Sequence, residues 1–290
     1  MEILRSDWQV LAGFWDESTA NNYVQGQGVP LTPAEMDDLT RRISSARKYV
    51  ETLPPRSKDL PELRPMEDVF SSHLSQLQSE STFKEHLQGM KEWRFAWVEL
   101  SKVLVFQPHL NTRYVDSLVA QVPAEDAKKE VIEFCLPSTK RGLKTQVIQS
   151  FNPVTNTFTL VTDNLDFRIL GNMQGEDPVS GRKVIGFADG GGLPQMSVVE
   201  YRERFLLKNG YHRAYALFRR GHRFLPCLVV RTDNYANTGA QQSGFFSVDT
   251  MLSDRPPRLE DFSSEASVPI PRRLLKVMIT VHAESQAFPV

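Results

Sequence analysis

Six consecutive residues, Lys208-Asn-Gly-Tyr-His-Arg213, carry the densest chemistry in the chain. Asparagine and glycine accept left-handed backbone angles, so Asn209-Gly210 breaks the extended run before it. After the break, Ala214, Leu217 and Phe218 recur at i, i+3, i+4 spacing, and Gly221 stands where a helix would stop. This predicts a helix over 211–220 whose first-turn N–H groups open beside Gly210, His212 and Arg213. Such a terminus with a cation next to it is an anion site, and phosphate is the anion it fits. Lys208 and Asn209 are placed to support it, and Gln195 lies in the approach to it. Tyr211 is a candidate to stack on a base or to fill a groove.

Each of these residues also has a plain alternative. Arg213 suits a surface salt bridge, His212 a capping or packing role, and His222 an exposed turn. Arg219 and Arg220 complement the negative end of the helix dipole. For catalysis, His212 is the group that titrates near neutral pH, and Glu200, Glu203 and Asp189 are the nearest carboxylates for a base or metal ligand. None of these carboxylates belongs to a recognisable motif, and each also reads as a solvated surface acid. Cys135 and Cys227 lie far apart in apolar surroundings, without metal-ligand spacing, and read as buried free thiols.

The elements that must position the corner are legible around it. Residues 196–201 and 205–208 read as strands joined at Arg202-Glu-Arg204, and 224–230, with Pro226, returns as a buried strand. Upstream, 97–106 is rich in β-branched and aromatic residues and reads as a strand, followed by helices over 114–122 and 124–135. Strands are expected at 143–150, 157–162 and 167–170, the first two joined by the turn residues 152–156. Residues 175–192 read as a glycine-rich loop, in which Gly190-Gly-Gly192 is a candidate lid. The first 90 residues read as helical. Thr32-Pro-Ala-Glu35 is a capping box with proline at the first helical position, followed by the stripe Met36, Leu39, Ile43, Ala46 and Val50. Arg41, Arg42, Arg47 and Lys48 lie off that stripe, on what reads as a solvated face. The prolines at 54, 55, 61 and 65 mark a connector, with short helices expected at 66–77 and 82–89. After 230 the chain reads as loop, broken by prolines 256, 257, 269 and 271, with a final strand at 274–282.

In this order the residues resemble the ParB/sulfiredoxin superfamily of nucleotide-binding domains. The resemblance rests on Gly192, Leu193 and Gln195, the hairpin, Gly210, Arg213 and Ala216, then Gly221 and Pro226. It is tightest over residues 192–230 and looser upstream, where Val98-Glu-Leu-Ser-Lys-Val, Gln107-Pro108 and 114–118 are similar to that family's opening strand, loop and helix. It implies a mixed-sheet, ParB-like core over 93–240 with an insertion at about 120–185. With a helical region over 1–92 and a C-terminal extension over 241–290, both outside the resemblance, the chain is expected to be α+β. The resemblance also implies a nucleoside triphosphate with Mg²⁺ held by Gln195, Lys208, Asn209, Gly210, Tyr211, His212 and Arg213. Two departures narrow the expectation. Sulfiredoxin-type reductases carry a catalytic cysteine where Tyr211 stands, which argues against sulfinic-acid reduction. The proline-broken segment after 230 shows no helix-turn-helix of the partition type.

The chain has 290 residues, enough for one or two domains, and 34 basic against 35 acidic residues, so no global field draws it to nucleic acid. No signal-peptide or membrane-spanning run is visible, and a cytoplasmic protein is expected. The leading functional expectation is a nucleotide-binding regulatory or DNA-associated switch, with DNA or a protein as partner. The alternatives are an NTP-dependent phosphotransferase, NTPase or nuclease, and a ligand-free interaction scaffold.

Overall fold

The computed structural model describes residues 5–27, 29–56, 60–80, 83–84, 87–138, 147–162, 167–190, 195–242, 244–273 and 275–284. The fold is α+β. Its contacts divide it into two compact units, Met1–Lys140 with Leu193–Leu274, and Arg141–Gly192 with Leu275–Val290. The boundaries suggested by sequence, 92/93 and 240/241, fall elsewhere, because strands from all three of those segments pair with one another.

In the first unit the chain forms β1 (Arg5–Val10), α1 (Glu17–Gly26), α2 (Pro33–Thr52), β2 (Leu63–Pro65), α3 (Ser71–Ser79), β3 (Glu92–Glu99), β4 (His109–Asn111), α4 (Thr112–Val119) and α5 (Lys128–Cys135). The second unit contributes β5 (Ile148–Asn152), β6 (Thr157–Thr162), β7 (Arg168–Glu176) and β8 (Lys183–Gly190). The chain returns to the first unit with β9 (Ser197–Tyr201), β10 (Arg204–Asn209), α6 (Tyr211–Arg219), β11 (Phe224–Arg231), α7 (Val248–Leu252) and β12 (Val268–Arg273), and β13 (Val277–His282) belongs to the second.

A five-stranded sheet, in the order β10-β9-β11-β3-β2, is the centre of the first unit. β11 runs parallel to β9 and antiparallel to β3. Its sequence, FLPCLVVR, is apolar without a break because both of its faces are covered. Leu225, Cys227 and Val229 face the main core, while Leu228 and Val230 join Val199 under Phe83. Pro226 is tolerated in this central strand for a geometric reason. The N–H of Leu228 bonds to Met196 at the start of β9, so the same edge two residues earlier has no partner strand to serve.

The hairpin, helix and returning strand expected around Gly210 are all present. Arg202 and Glu203 form the hairpin turn with φ of 48° and 59°, as a tight two-residue connection requires. Gly210, at φ 96°, ends the bulged β10 and caps α6. At the other end, Gly221 at φ 81° closes the helix, with its N–H on Phe218 O and that of His222 on Leu217 O. The capping box of α2 also forms: the Thr32 N–H donates to Glu35 at 2.7 Å and the Glu35 N–H to Thr32 Oγ1 at 3.3 Å. Arg41 and Arg42 lie on the exposed face of α2 and pair with Asp38. Both cysteines are buried and free.

Several expectations need correction. The N-terminal segment is not purely helical, because β1 lies between β12 and β4 in a three-stranded sheet and β2 extends the central sheet from the proline-rich connector. The prolines of β12 predict a loop. The segment is an edge strand, where Pro269 and Pro271 need to serve a neighbour on one side only. The strand expected at 97–106 begins earlier, at Glu92, and gives way to a 3₁₀ turn over Leu100–Lys102. The helix expected at 124–135 starts at Lys128. Residues 175–192 are not an open loop, since β7 and β8 pair as a hairpin through Glu176 and Lys183. The remainder of the candidate lid, 191–192, and part of the helix expected at 82–89 lie outside the described residues.

The two helix-bounding glycines differ in what surrounds them. A Cβ at Gly210 would stand 2.6 Å from Met196 Cγ, whereas one at Gly221 would meet open space. Gly221→Ala is therefore expected to cost about 1 kcal/mol through backbone strain alone. Gly210→Ala is expected to cost about 2 kcal/mol or more, because steric overlap adds to the strain. Urea unfolding of the two variants checks the order.

Candidate functional site

The corner at the start of α6 is built from three locks and an opening. The first lock is Arg213, which is 9% exposed and points into the protein. Its Nη1 donates to the carbonyls of Phe134 at 3.0 Å and Cys135 at 3.3 Å, at the C-terminus of α5. These carbonyls lack intrahelical donors, and a guanidinium satisfies them while complementing the dipole. Burial pushes the arginine's affinity for its proton down, and the group still stays charged at neutral pH. The second lock is Gln195, fully buried, which donates from Nε2 to Glu80 at 3.2 Å and to the Pro137 carbonyl at 3.3 Å. The third is Asn209, whose Nδ2 donates to the Gln195 carbonyl at 2.7 Å. Met196, against which Gly210 packs, donates its N–H to the same Cys135 carbonyl that Arg213 uses.

His212 faces the other way. Its Nε2 accepts the Asn111 N–H at 3.1 Å, which places the ring proton on Nδ1. Asn111 in turn caps α4 through its own side chain. Burial brings the His212 pKa down to about 4, so the ring is neutral at physiological pH. Tyr211 is buried and donates its hydroxyl to the Leu207 carbonyl, with its ring edge-on to Phe106 at 5.6 Å. Of the two roles offered by sequence, it takes groove filling. His222, expected in an exposed turn, is 6% exposed and bonds Pro123 O at 3.0 Å, because the cap at Gly221 turns it inward.

The opening consists of backbone and one cation. Gly210 brings no side chain to cap α6, and the amides of Tyr211 and His212 stand in the first turn, where no intrahelical carbonyl reaches them. Lys208 precedes this turn by two residues. It is half-buried, its stem passes Gly239, and it meets no carboxylate among the described residues. Desolvation lowers its pKa, which marks an ammonium that has lost water without gaining an anion.

Two of the carboxylate candidates stand away from the corner. Glu200 and Glu203 lie at the turn end of the β9–β10 hairpin, while Asn209 pairs with Ser197 at the opposite end. At strand rise, five residues separate the two ends by about 17 Å. Glu200 is held by Arg94 at 3.3 Å and Arg231 at 4.0 Å. Asp189 is in β8 of the second unit. Among the described residues no group of three or more His, Cys, Asp or Glu is placed to hold a metal ion. Burial drives the Cys135 thiol up to about 12 and Cys227 well above its ordinary value, so neither is poised as a nucleophile. No helix among the described residues is long and apolar enough to cross a membrane.

No family model matches the chain, and neither a curated protein nor a solved structure matches it.

The division of labour between Arg213 and Lys208 has a direct consequence for stability. Arg213→Ala is expected to cost about 2–3 kcal/mol, since charge-assisted bonds are lost and the Phe134 carbonyl loses the Arg213 donor. Arg213→Lys restores only part of that, because an ammonium lacks the planar fork. Lys208→Ala is expected to stay within about 0.5 kcal/mol of the parent. Chemical denaturation at pH 7 measures all three.

Proposed function

We propose that the chain binds the phosphate groups of a nucleotide at the N-terminus of α6, and that it does so as a regulatory module. The carrying observation is a helix start at a left-handed glycine without a side-chain cap, preceded in the chain by Lys208, a desolvated ammonium that meets no carboxylate among the described residues. First-turn amides and a lysine point charge are complementary to a phosphate oxygen. The resemblance to nucleotide-binding domains of the ParB/sulfiredoxin type supports the same placement. The contribution of each residue differs from the simplest reading of the sequence. Gly210 and the backbone of Tyr211 and His212 would meet the phosphate, and Lys208 would supply the charge. Gln195, Asn209 and Arg213 position them from behind.

Regulation is favoured over catalysis because the corner brings no free acid or base to the ligand. Glu200 and Glu203 stand at the far end of the hairpin, and the His212 Nε2 is occupied by the Asn111 N–H. Phosphoryl transfer needs a positioned nucleophile and charge neutralisation, and a nucleotide would bring its Mg²⁺ with it. A ligand-free scaffold is the second reading, favoured by the internal use of three of the corner's polar side chains.

Calorimetric titration with CTP, ATP and GTP, each with Mg²⁺, separates these readings. One nucleotide is expected to bind, and Lys208→Ala to weaken it about tenfold or more, equivalent to about 1.4 kcal/mol. The absence of heat with all three, on folded protein, would overturn the nucleotide reading and leave the scaffold.

A further inference from the structure

The short strand β4 carries a seam of aromatic and imidazole rings that the phosphate corner does not use. On one side, His109 packs against Trp8 of β1 at 5.0 Å between ring centroids and against Tyr23 of α1 at 5.9 Å. Tyr23 in turn packs against Trp15 with its ring tilted, at 4.8 Å between centroids. On the other side of the strand, the Asn111 N–H is held by His212 of α6. Two polar atoms are stranded in this seam. The His109 Nδ1 and the Tyr23 hydroxyl are both buried and meet no hydrogen-bond partner among the described residues. Each costs free energy that a satisfied core would not spend, so the seam is locally weak.

Arg272 and burial oppose a positive charge on His109, burial opposes one on His212, and no facing group compensates among the described residues. His109 is faced by Arg272 of β12, whose guanidinium lies 4.1 Å over the Trp8 ring, by Tyr23 of α1 and by His212. His212 is faced by Tyr114 of α4, edge-on at 5.2 Å, and by the β4 backbone. Tyr23 is neutral over the whole physiological range, its pKa raised to about 12 by burial. No carboxylate among the described residues shifts either imidazole. Burial and the neighbouring charges hold His109 down to about 3, and burial holds His212 down to about 4.

We propose that the β4 seam is an acid-operated latch, in which neutral His109 and His212 clasp α1 and α6 to β4 and their protonation releases α1 from the sheet. A protonated His212 cannot accept the Asn111 N–H, so that bond breaks outright. A protonated His109 sits beside Arg272, and its buried Nδ1 then becomes a donor that meets no acceptor among the described residues. The sign follows from linkage. Both rings have folded values below the ordinary 6.5, so the closed seam is stable above about pH 6.5 and loses stability as the pH falls from there toward the folded values.

Hydrogen exchange on the full chain tests this, with intrinsic rates corrected for pH. Between pH 7 and pH 5, amides of α1 and β4 are expected to lose protection by about thirtyfold for each imidazole released, while those of β9 and β11 keep theirs. His109→Phe, which fills the ring site without titrating, is expected to reduce the loss by about one such factor. Unchanged protection of α1 and β4 in the parent at pH 5 would overturn the proposal. So would loss in α1 and β4 that occurs together with loss in β9 and β11, since that is general acid unfolding. The parent measurement decides the matter even if the variant does not fold.

Discussion

A buried guanidinium organises the first unit. Arg213 has left water, and a charge without water must find donors or acceptors in the protein or be expelled. It finds the exposed carbonyl end of α5, through Phe134 and Cys135. That demand ties α6 to α5, and the Cys135 carbonyl also anchors Met196 at the threshold of β9. Met196 fills the space that a side chain at position 210 would occupy, so the residue there must be glycine. The left-handed turn at Gly210 and the start of α6 are thus linked through Met196 and the Cys135 carbonyl to one desolvated charge.

This arrangement separates rigidity from chemistry. The side chains expected to touch a ligand by virtue of their type, Gln195, Asn209 and Arg213, are consumed in holding the corner's shape. What the corner can present is backbone dipole and one lysine. A site of that composition recognises charge and shape and does not of itself move protons, which suits a binding switch better than an active site. The carboxylates that would be needed for chemistry are kept at the other end of the hairpin by its register, where Arg94 and Arg231 hold Glu200.

The parts of the structure legible in the sequence are those decided within about a dozen residues. The capping box at Thr32, the hairpin ending at Asn209-Gly210, the amphipathic α6 and its glycine stop all depend on near neighbours. The misread parts depend on distant ones. β1 is a strand because β12 and β4 lie on either side of it, and β12 is a strand despite its prolines because it needs only β1. The roles of Arg213 and His212 turn on carbonyls and amides about 80 to 100 positions away, which no local spacing encodes. Residue type draws attention to the corner but does not say which way its side chains face. Only the fold shows that its arginine faces inward and that its lysine meets no carboxylate among the described residues.

The central claim is that phosphate meets the backbone at the start of α6. Amide chemical-shift mapping with the nucleotide that binds tests it most directly, because a phosphate oxygen accepting an N–H moves that resonance downfield. The account predicts the largest shifts at Tyr211 and His212, abolished in Lys208→Ala under the same conditions. Shifts centred on the Arg202 and Arg231 end of the hairpin, with Tyr211 and His212 unmoved, would contradict it.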